Sequence, residues 1–498
     1  MLLLEGFKNV LSQPVTLLLI LIGDVAGLIF GAIPGLSAFT ALAIMLPLTF
    51  AMQPVMGISF LMSVYVGGVS GGFISAILLG IPGTPSSIAT CFDGHELAKR
   101  GEAYRAMGVA LLFSFIGGIF SAVIMSTLAP LIGQVALRFS PYEYTTVILL
   151  ALTTVSALAE GSMVKGLLSC LLGVSLSFVG IDRLSAYTRY TFGYSSLRSG
   201  FAIVPLLIGL FAVSQVLTNA SKRNSTTIEE AEHQIVAQKK MRGFGISIKE
   251  FFSALKTSIP ASIIGLVVGI LPGIGGNIAN LMAYTFAKKT SKTPEEFGHG
   301  TIHGIVAPES ANNASVGGAL IILLTLGIPG DNATSMIMAG FQIHGIAPGP
   351  LLFSSGNTLV YAIFAAFIIA NIIMLVSAYF GLPLFSKILS LRTEILLPIV
   401  IAFCFVGSFS SNNRVFEIGV MVAFGILGFI MKRYKYPLAP MVVGFILAPM
   451  LEENLRRSLM RSKGSFEPFV TSPIAVTFLV ITVAVLLFTV YSEFKKKD

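Results

Sequence analysis

Two five-residue stretches of this chain are identical. Leu79-Gly80-Ile81-Pro82-Gly83 returns as Leu326-Gly327-Ile328-Pro329-Gly330, and small polar side chains follow each: Thr84, Ser86, Ser87 and Thr90 after the first, Asp331, Asn332, Thr334 and Ser335 after the second. An apolar run that ends in Pro-Gly is a helix broken in mid-course, because proline gives up a backbone donor and clashes with the preceding turn while glycine lets the chain reverse. The amides and carbonyls freed at such a break are binding groups, and in an apolar medium they persist only where they line a cavity or meet a ligand. A third polar concentration, Glu309-Ser310-Ala311-Asn312-Asn313, stands ahead of the apolar run to Ile328. Carboxamides offer donors and acceptors together, and a carboxylate attracts a cation. These residue types suit reversible binding of a small polar solute or ion. Capping of the following helix by Glu309 or Ser310 is the plainer alternative, and the two roles are compatible.

The surroundings of these motifs are those of a bilayer protein. Hydrophobic residues make up 55% of the chain, charged residues 11%, and mean hydropathy is +0.88, against roughly 25% charge in soluble domains. At about 20 residues per span the 498 residues allow roughly ten to fourteen crossings, some of them partial. The net charge of +9 comes mainly from loop Lys and Arg, which fits retention of basic loops in the cytoplasm and not nucleic-acid binding. Cys91, Cys170 and Cys404 are far apart and have no metal-ligand spacing, so neither a disulfide framework nor a metal site is expected. The five histidines are scattered, there is no phosphate loop, and no nucleophile-base pair stands out; an enzyme and an ATP-driven pump are both disfavoured. No cofactor is expected.

The elements that must hold the motifs are themselves repeated. Gly23, Gly27, Gly31 and Gly35 form a ridge on the first span, and Ala261, Gly265, Gly269 and Gly273 form its copy 238 residues later, with Pro34 matched by Pro272. Small residues four apart allow close helix approach in membranes. Ridge and break together describe a duplicated fold. The expected fold class is all-α and polytopic, with two internal repeats that contain broken helices and re-entrant hairpins, inverted and elevator-like. The expected organisation is a first repeat with scaffold helices over 1–218, a polar cytoplasmic linker over 219–252, a second repeat over 253–465, and a C-terminal helix with a basic tail over 466–498. The breaks at Pro34, Pro82, Pro272 and Pro329 are expected to converge on one cavity. Val55 to Val69 and Gly71 to Ile81 read as two short runs, part of a hairpin with its tip near Pro82-Gly83. The run from Pro437 to Met450 carries basic clusters at both ends, so it reads either as re-entrant or as a span with one cluster outside.

Several stretches together resemble one family. Gly27 through Ile33-Pro34-Gly35-Leu36 to Pro47-Leu48-Thr49-Phe50, Leu79 to Pro85 with Asp93-Gly94, Ala307-Pro308-Glu309-Ser310-Ala311-Asn312-Asn313-Ala314, and Leu326 to Gly330 with Pro348-Gly349-Pro350 look like the large membrane subunit of the tripartite tricarboxylate transporters, the TctA family. One departure is His303, where the family pattern has an acidic residue. The resemblance implies a multi-pass permease of the bacterial inner membrane. It would import di- or tricarboxylates such as citrate, driven by Na+ or H+, with a small TctB-like membrane subunit and a periplasmic TctC-like binding protein. It also allows a homodimer. The alternative on physical grounds is an anion channel or a transporter of another small solute. Expected substrate contacts are Pro34, Gly35, Gly83, Thr84, Pro85, Ser86, Ser87, Gly273, Asn312, Asn313, Gly330, Asp331 and Asn332. Expected ion contacts are Glu309, Ser310, Asn312 and Asp331.

Overall fold

The computed structural model describes residues 2–495 apart from 158, 160–161, 222–242, 274, 355–357 and 389–392. Most of the polar linker expected over 219–252 therefore lies outside the described residues. The described chain is almost entirely helical, and nine of its helices are long and apolar enough to cross a bilayer.

The first half opens with α1 (Leu2–Leu11) and α2 (Pro14–Ala32), which starts on a proline whose missing amide is not needed in a first helical turn. After a break come α3 (Ala38–Met45), α4 (Pro54–Leu79), α5 (Ile88–Lys99) and α6 (Ala103–Ala136). Next are α7 (Pro141–Ala157), α8 (Met163–Ser177), a two-residue hairpin of β1 (Gly180–Ile181) and β2 (Thr188–Arg189), and α9 (Ile203–Ser221). The second half opens with α10 (Ile248–Ile270), α11 (Gly275–Thr290), α12 (His303–Leu326), α13 (Asn332–Ile343) and α14 (Leu359–Ile388). It closes with α15 (Thr393–Asn412), α16 (Val415–Arg433), α17 (Leu438–Arg461), α18 (Glu467–Thr471) and α19 (Pro473–Lys495).

The glycine ridges do the same work in both halves. A Cβ on Gly27 or Gly31 would lie 2.4 or 2.3 Å from the Val64 or Gly68 carbonyl of α4, and one on Gly265 or Gly269 would lie 2.1 or 2.3 Å from the Ala311 or Ser315 carbonyl of α12. Backbone therefore rests on backbone, and any side chain would push the helices apart. Gly80 and Gly327 end α4 and α12 with φ of +66° and +70°, the left-handed conformation that glycine adopts without strain.

Helices α1 to α6 pack mainly with α10 to α14, around α4 and α12, which are enclosed almost throughout. The remaining helices form two further groups: α17 packs on α7 and α8 with α19 on α7, and α16 packs on α9 and α15. Contacts between the groups are narrower. They include Phe39 against Phe211 at 4.8 Å between ring centres and Pro47 against Gly407.

Polar fasteners cross between the halves within the first group. Buried Asp93 of α5 accepts from the amides of Gly300 and Thr301 at 2.8 and 2.9 Å, from the Gly298 amide at 3.0 Å, and from the Tyr284 hydroxyl at 2.9 Å. Arg100 donates to the His299 carbonyl at 2.5 Å. At the head of α6, Arg105 pairs with Glu250 at 2.7 Å. Thus α5 finishes where α12 begins. Conversely α13 finishes where α4 begins, with the His344 ring packed on Gly57.

One expectation is corrected and one open alternative is decided. The runs Val55 to Val69 and Gly71 to Ile81 are one helix through Leu79, because Gly67 and Gly71 accept the carbonyls of Asp24 and Leu28 on α2 and so act as contacts instead of breaks. The Pro437 to Met450 run is not re-entrant but continues to Arg461 in one helix. At about 1.5 Å per residue that helix sets its two basic clusters at opposite ends. Two members of the far cluster are ion-paired, Arg456 with Asp182 at 2.5 Å and Arg457 with Glu453 at 2.6 Å, and nearby Arg189 pairs with Glu452 at 2.7 Å.

Candidate functional site

The starts of four short helical segments meet at one place. Ser37 and Ala38 begin α3, Thr84-Pro85-Ser86 lead into α5, Gly275 and Gly276 begin α11, and Asp331 and Asn332 begin α13; all of them line a cavity of about 70 Å³. Tyr65 and Val69 of α4 and Asn312 and Ser315 of α12 form its walls, and Gly273 closes it. Amides in the first turn of a helix have no partner inside the helix. The aligned peptide dipoles add roughly half a positive charge at each such end.

The two tips are built alike. Thr84 and Ser87 form a reciprocal capping box, and Thr84 Oγ1 lies 3.1 Å from Ser86 Oγ. Asp331 and Thr334 form the corresponding box: the Thr334 amide donates to Asp331 Oδ1 at 2.7 Å and the Asp331 amide donates to Thr334 Oγ1 at 2.8 Å. The second unit thus places a carboxylate where the first places a hydroxyl. Tyr65 donates its hydroxyl to Asp331 Oδ2 at 2.5 Å, which links α4 of one half to the tip of the other. Within the second half the Gly273 amide donates to the Gly330 carbonyl at 2.7 Å and so ties its two breaks together.

Asn312 has the most telling surroundings. Its Nδ2 donates to the Val69 carbonyl at 3.4 Å, while its Oδ1 has no partner although the residue is only 1% exposed. A Cβ on Gly276 would come within 2.5 Å of that oxygen, so the glycine keeps the amide uncovered. Asn313 points elsewhere: it accepts from Ser70 at 2.8 Å and donates to the Glu309 carbonyl at 3.1 Å, pinning α12 to α4. Glu309 also lies off the cavity lining, fully buried, and accepts from Thr90 at 2.6 Å and Ser114 at 2.7 Å. Ser310 shares a 2.8 Å bond with Ser258 of α10. His303 bonds Thr257 at 2.9 Å and makes no bond to Glu309.

Of the residues singled out in the sequence, Thr84, Pro85, Ser86, Gly273, Asn312, Asp331 and Asn332 line the cavity. Pro34, Gly35, Gly83, Ser87 and Gly330 shape the breaks behind it. A larger polar depression of about 360 Å³ lies between the β1–β2 hairpin and α17. Its Asp182, Arg189, Glu452 and Glu453 are engaged in ion pairs, and Arg183 and Arg198 also line it. Among the described residues no group of three or more His, Cys, Asp or Glu could hold a metal ion.

The family model for the tripartite tricarboxylate transporter TctA family matches residues 17–443. The chain belongs to that family. A TctA-family chain is a transporter component and not an enzyme. One relative, an uncharacterised 52.8 kDa protein in the TAR-I ttuC' 3' region of Agrobacterium vitis, is 34% identical over 492 residues, covering 99% of this chain and 96% of its own. A second, an uncharacterised protein in the TAR-II ttuC' 3' region of the same organism, is 38% identical over 235 residues, or 47% of this chain and 97% of its own. No solved structure matches. Sequence reasoning missed Tyr65, Ser37 and Ser315 in this TctA-family site. For Tyr65 a signal was present: it stands 247 residues before Asn312, the spacing of the two Leu-Gly-Ile-Pro-Gly copies.

Proposed function

We propose that this chain is the permease of a secondary active transporter that imports di- or tricarboxylates, citrate among them, across the bacterial inner membrane. The observation that carries the reading is the convergence of four helical N-termini on one buried cavity. The positive dipole ends of these helices together favour an anion, with no Lys or Arg among the lining residues to supply the charge. Thr84, Ser86 and Asn312 add neutral donors. The space of about 70 Å³ is under a quarter of the roughly 300 Å³ at the small end of ligand pockets. It takes one carboxylate group, and the whole solute enters when the tips part.

Asp331 repels an anion and suits the coupling ion, Na+ or H+, and Glu309 is the second carboxyl near the same helices. No cofactor is required. We read α2–α5 and α10–α13 as copies of one unit in opposite orientation, because each unit's tip helix finishes where the other's long helix starts. The division into a tight group around α4 and α12 and separate groups around α17 and around α9 supports an elevator-like motion. Family membership implies a tripartite system, with a TctB-like membrane subunit and a TctC-like binding protein delivering the solute; a homodimer is compatible with it.

The test is uptake of labelled citrate and other carboxylates into proteoliposomes that hold both membrane subunits, with and without the binding protein. Saturable uptake that needs an imposed Na+ or H+ gradient supports the reading. Uptake that neither saturates nor responds to a gradient identifies a channel.

A further inference from the structure

Asp24 is an acidic residue within the first membrane span, and it is 0% exposed. Its Oδ2 accepts a hydrogen bond from the Ser377 hydroxyl of α14, and its Oδ1 has no partner. The backbone of α4 closes the space beside it: a Cβ on Gly67 would lie 2.8 Å from Oδ1 and 2.3 Å from the Asp24 carbonyl. Helices α3 and α4, packed on α2, carry no charged side chain, and the titratable group on α4, Tyr65, is engaged with Asp331. On α1 the charges are Glu5 and Lys8, beyond the turn that precedes α2. Helix α14 contributes Tyr361 and Tyr379 among its residues with described side chains. No ion pair to Asp24 exists among the described residues.

A carboxylate in such a place is expensive unless it is neutral or paired with a cation. A metal cation needs several oxygen ligands and room to sit, whereas one hydroxyl and a glycine backbone flank this carboxyl. A proton needs neither. We propose that Asp24 is a proton-binding site of the transport cycle, neutral in this conformation, and that its proton exchanges with water when α2 parts from α14. This rests on the ion-driven reading above and selects H+ as a coupling ion. The geometry links the site to the cavity: α2 runs on from Asp24 to the break that delivers Ser37, and it lies on the same helix, α4, that carries Tyr65 and Val69. Once deprotonated, Asp24 draws in water and favours separation of that seam.

Infrared difference spectra of the purified protein across a pH titration, together with citrate accumulation in proteoliposomes under a pH gradient without sodium, test the proposal. The protonated-carboxyl region should titrate in the wild type and lose one component in Asp24→Asn, with the component of Glu309 remaining, and accumulation should fall at least tenfold. Ser377→Ala, which removes the one hydrogen-bond donor to this carboxyl, should change the titration of the same component. A titration spectrum unchanged in Asp24→Asn, accumulation that persists in that variant, or wild-type accumulation that follows sodium alone overturns the proposal. If the wild type carries no carboxylate, the functional reading fails, while the infrared titration still decides the state of Asp24.

Discussion

The Tyr65 hydroxyl and the Asp331 carboxylate are 2.5 Å apart although 266 residues separate them in the chain. The bond joins the middle of one long helix to the broken tip that follows the other. It therefore sets the distance between the halves at the cavity. A hydrogen bond to a charged group contributes about 1.5–3 kcal/mol, or roughly tenfold to a hundredfold in an equilibrium constant. Tyr65→Phe should change the apparent constant for substrate or coupling ion by about that factor, with normal membrane levels. Transport kinetics identical to the wild type would remove Tyr65 from the site.

Asn312 and Asn313 are adjacent in sequence and opposite in role, so alanine variants should separate binding from stability. Asn312→Ala removes a cavity-facing amide and should raise the apparent substrate constant roughly tenfold, at about 1–3 kcal/mol for a buried hydrogen bond. Asn313→Ala breaks the Ser70 and Glu309 contacts and should lower thermal stability by a comparable energy while the substrate constant stays within a few-fold. Measuring both quantities for both variants checks the split, and equal effects in both would count against it.

The second glycine ridge leaves no space for a methyl group. Gly269→Ala puts a Cβ about 2.3 Å from the Ser315 carbonyl, an overlap that costs about 1–3 kcal/mol by overpacking. Because Ser315 lines the cavity, the variant should lose both melting temperature and transport. Unchanged values would mean that α10 and α12 pack more loosely than described.

Outside the membrane, Asp182 is held by Ser185, Arg456 and the Leu184 amide, which keep its carboxyl well below the usual carboxylate range. A depressed folded-state value stabilises the ionised hairpin above the ordinary carboxylate value of about 3.9, and the gain is lost as pH falls further. Asp182→Asn should therefore melt below the wild type at neutral pH, with the difference steady down to about pH 5 and shrinking beneath pH 4. A difference independent of pH over that range would assign the hairpin's stability to packing alone.

The sequence announced the backbone of the site better than its walls. Pro-Gly breaks and glycine ridges are local, so Thr84, Ser86, Asp331 and Asn332 could be placed from their neighbours in the chain. Tyr65 could not be placed in this way, because an aromatic residue within an apolar run looks like packing until the partner half brings Asp331 to it. Asp24 was hidden for a related reason: one charge in a long hydrophobic span scarcely alters its pattern. The glycines of α4 misled in the opposite sense. Gly67 and Gly71 looked like interruptions, yet they are the surfaces on which α2 lies. Position also decided between Asn312 and Asn313, whose identical chemistry gave no ground for choosing.

The Asp93 clasp has a consequence for how the protein is made. Its acceptor is synthesised in the first half, but the Gly298 amide lies 205 residues downstream. At about 5–20 residues per second the ribosome needs roughly ten to forty seconds to deliver it. Throughout that interval α5 has a carboxylate with no clasp, so its final seat is vacant until the second half is inserted. The nascent first half must wait, open and hydrated at that end, for the loop that closes it.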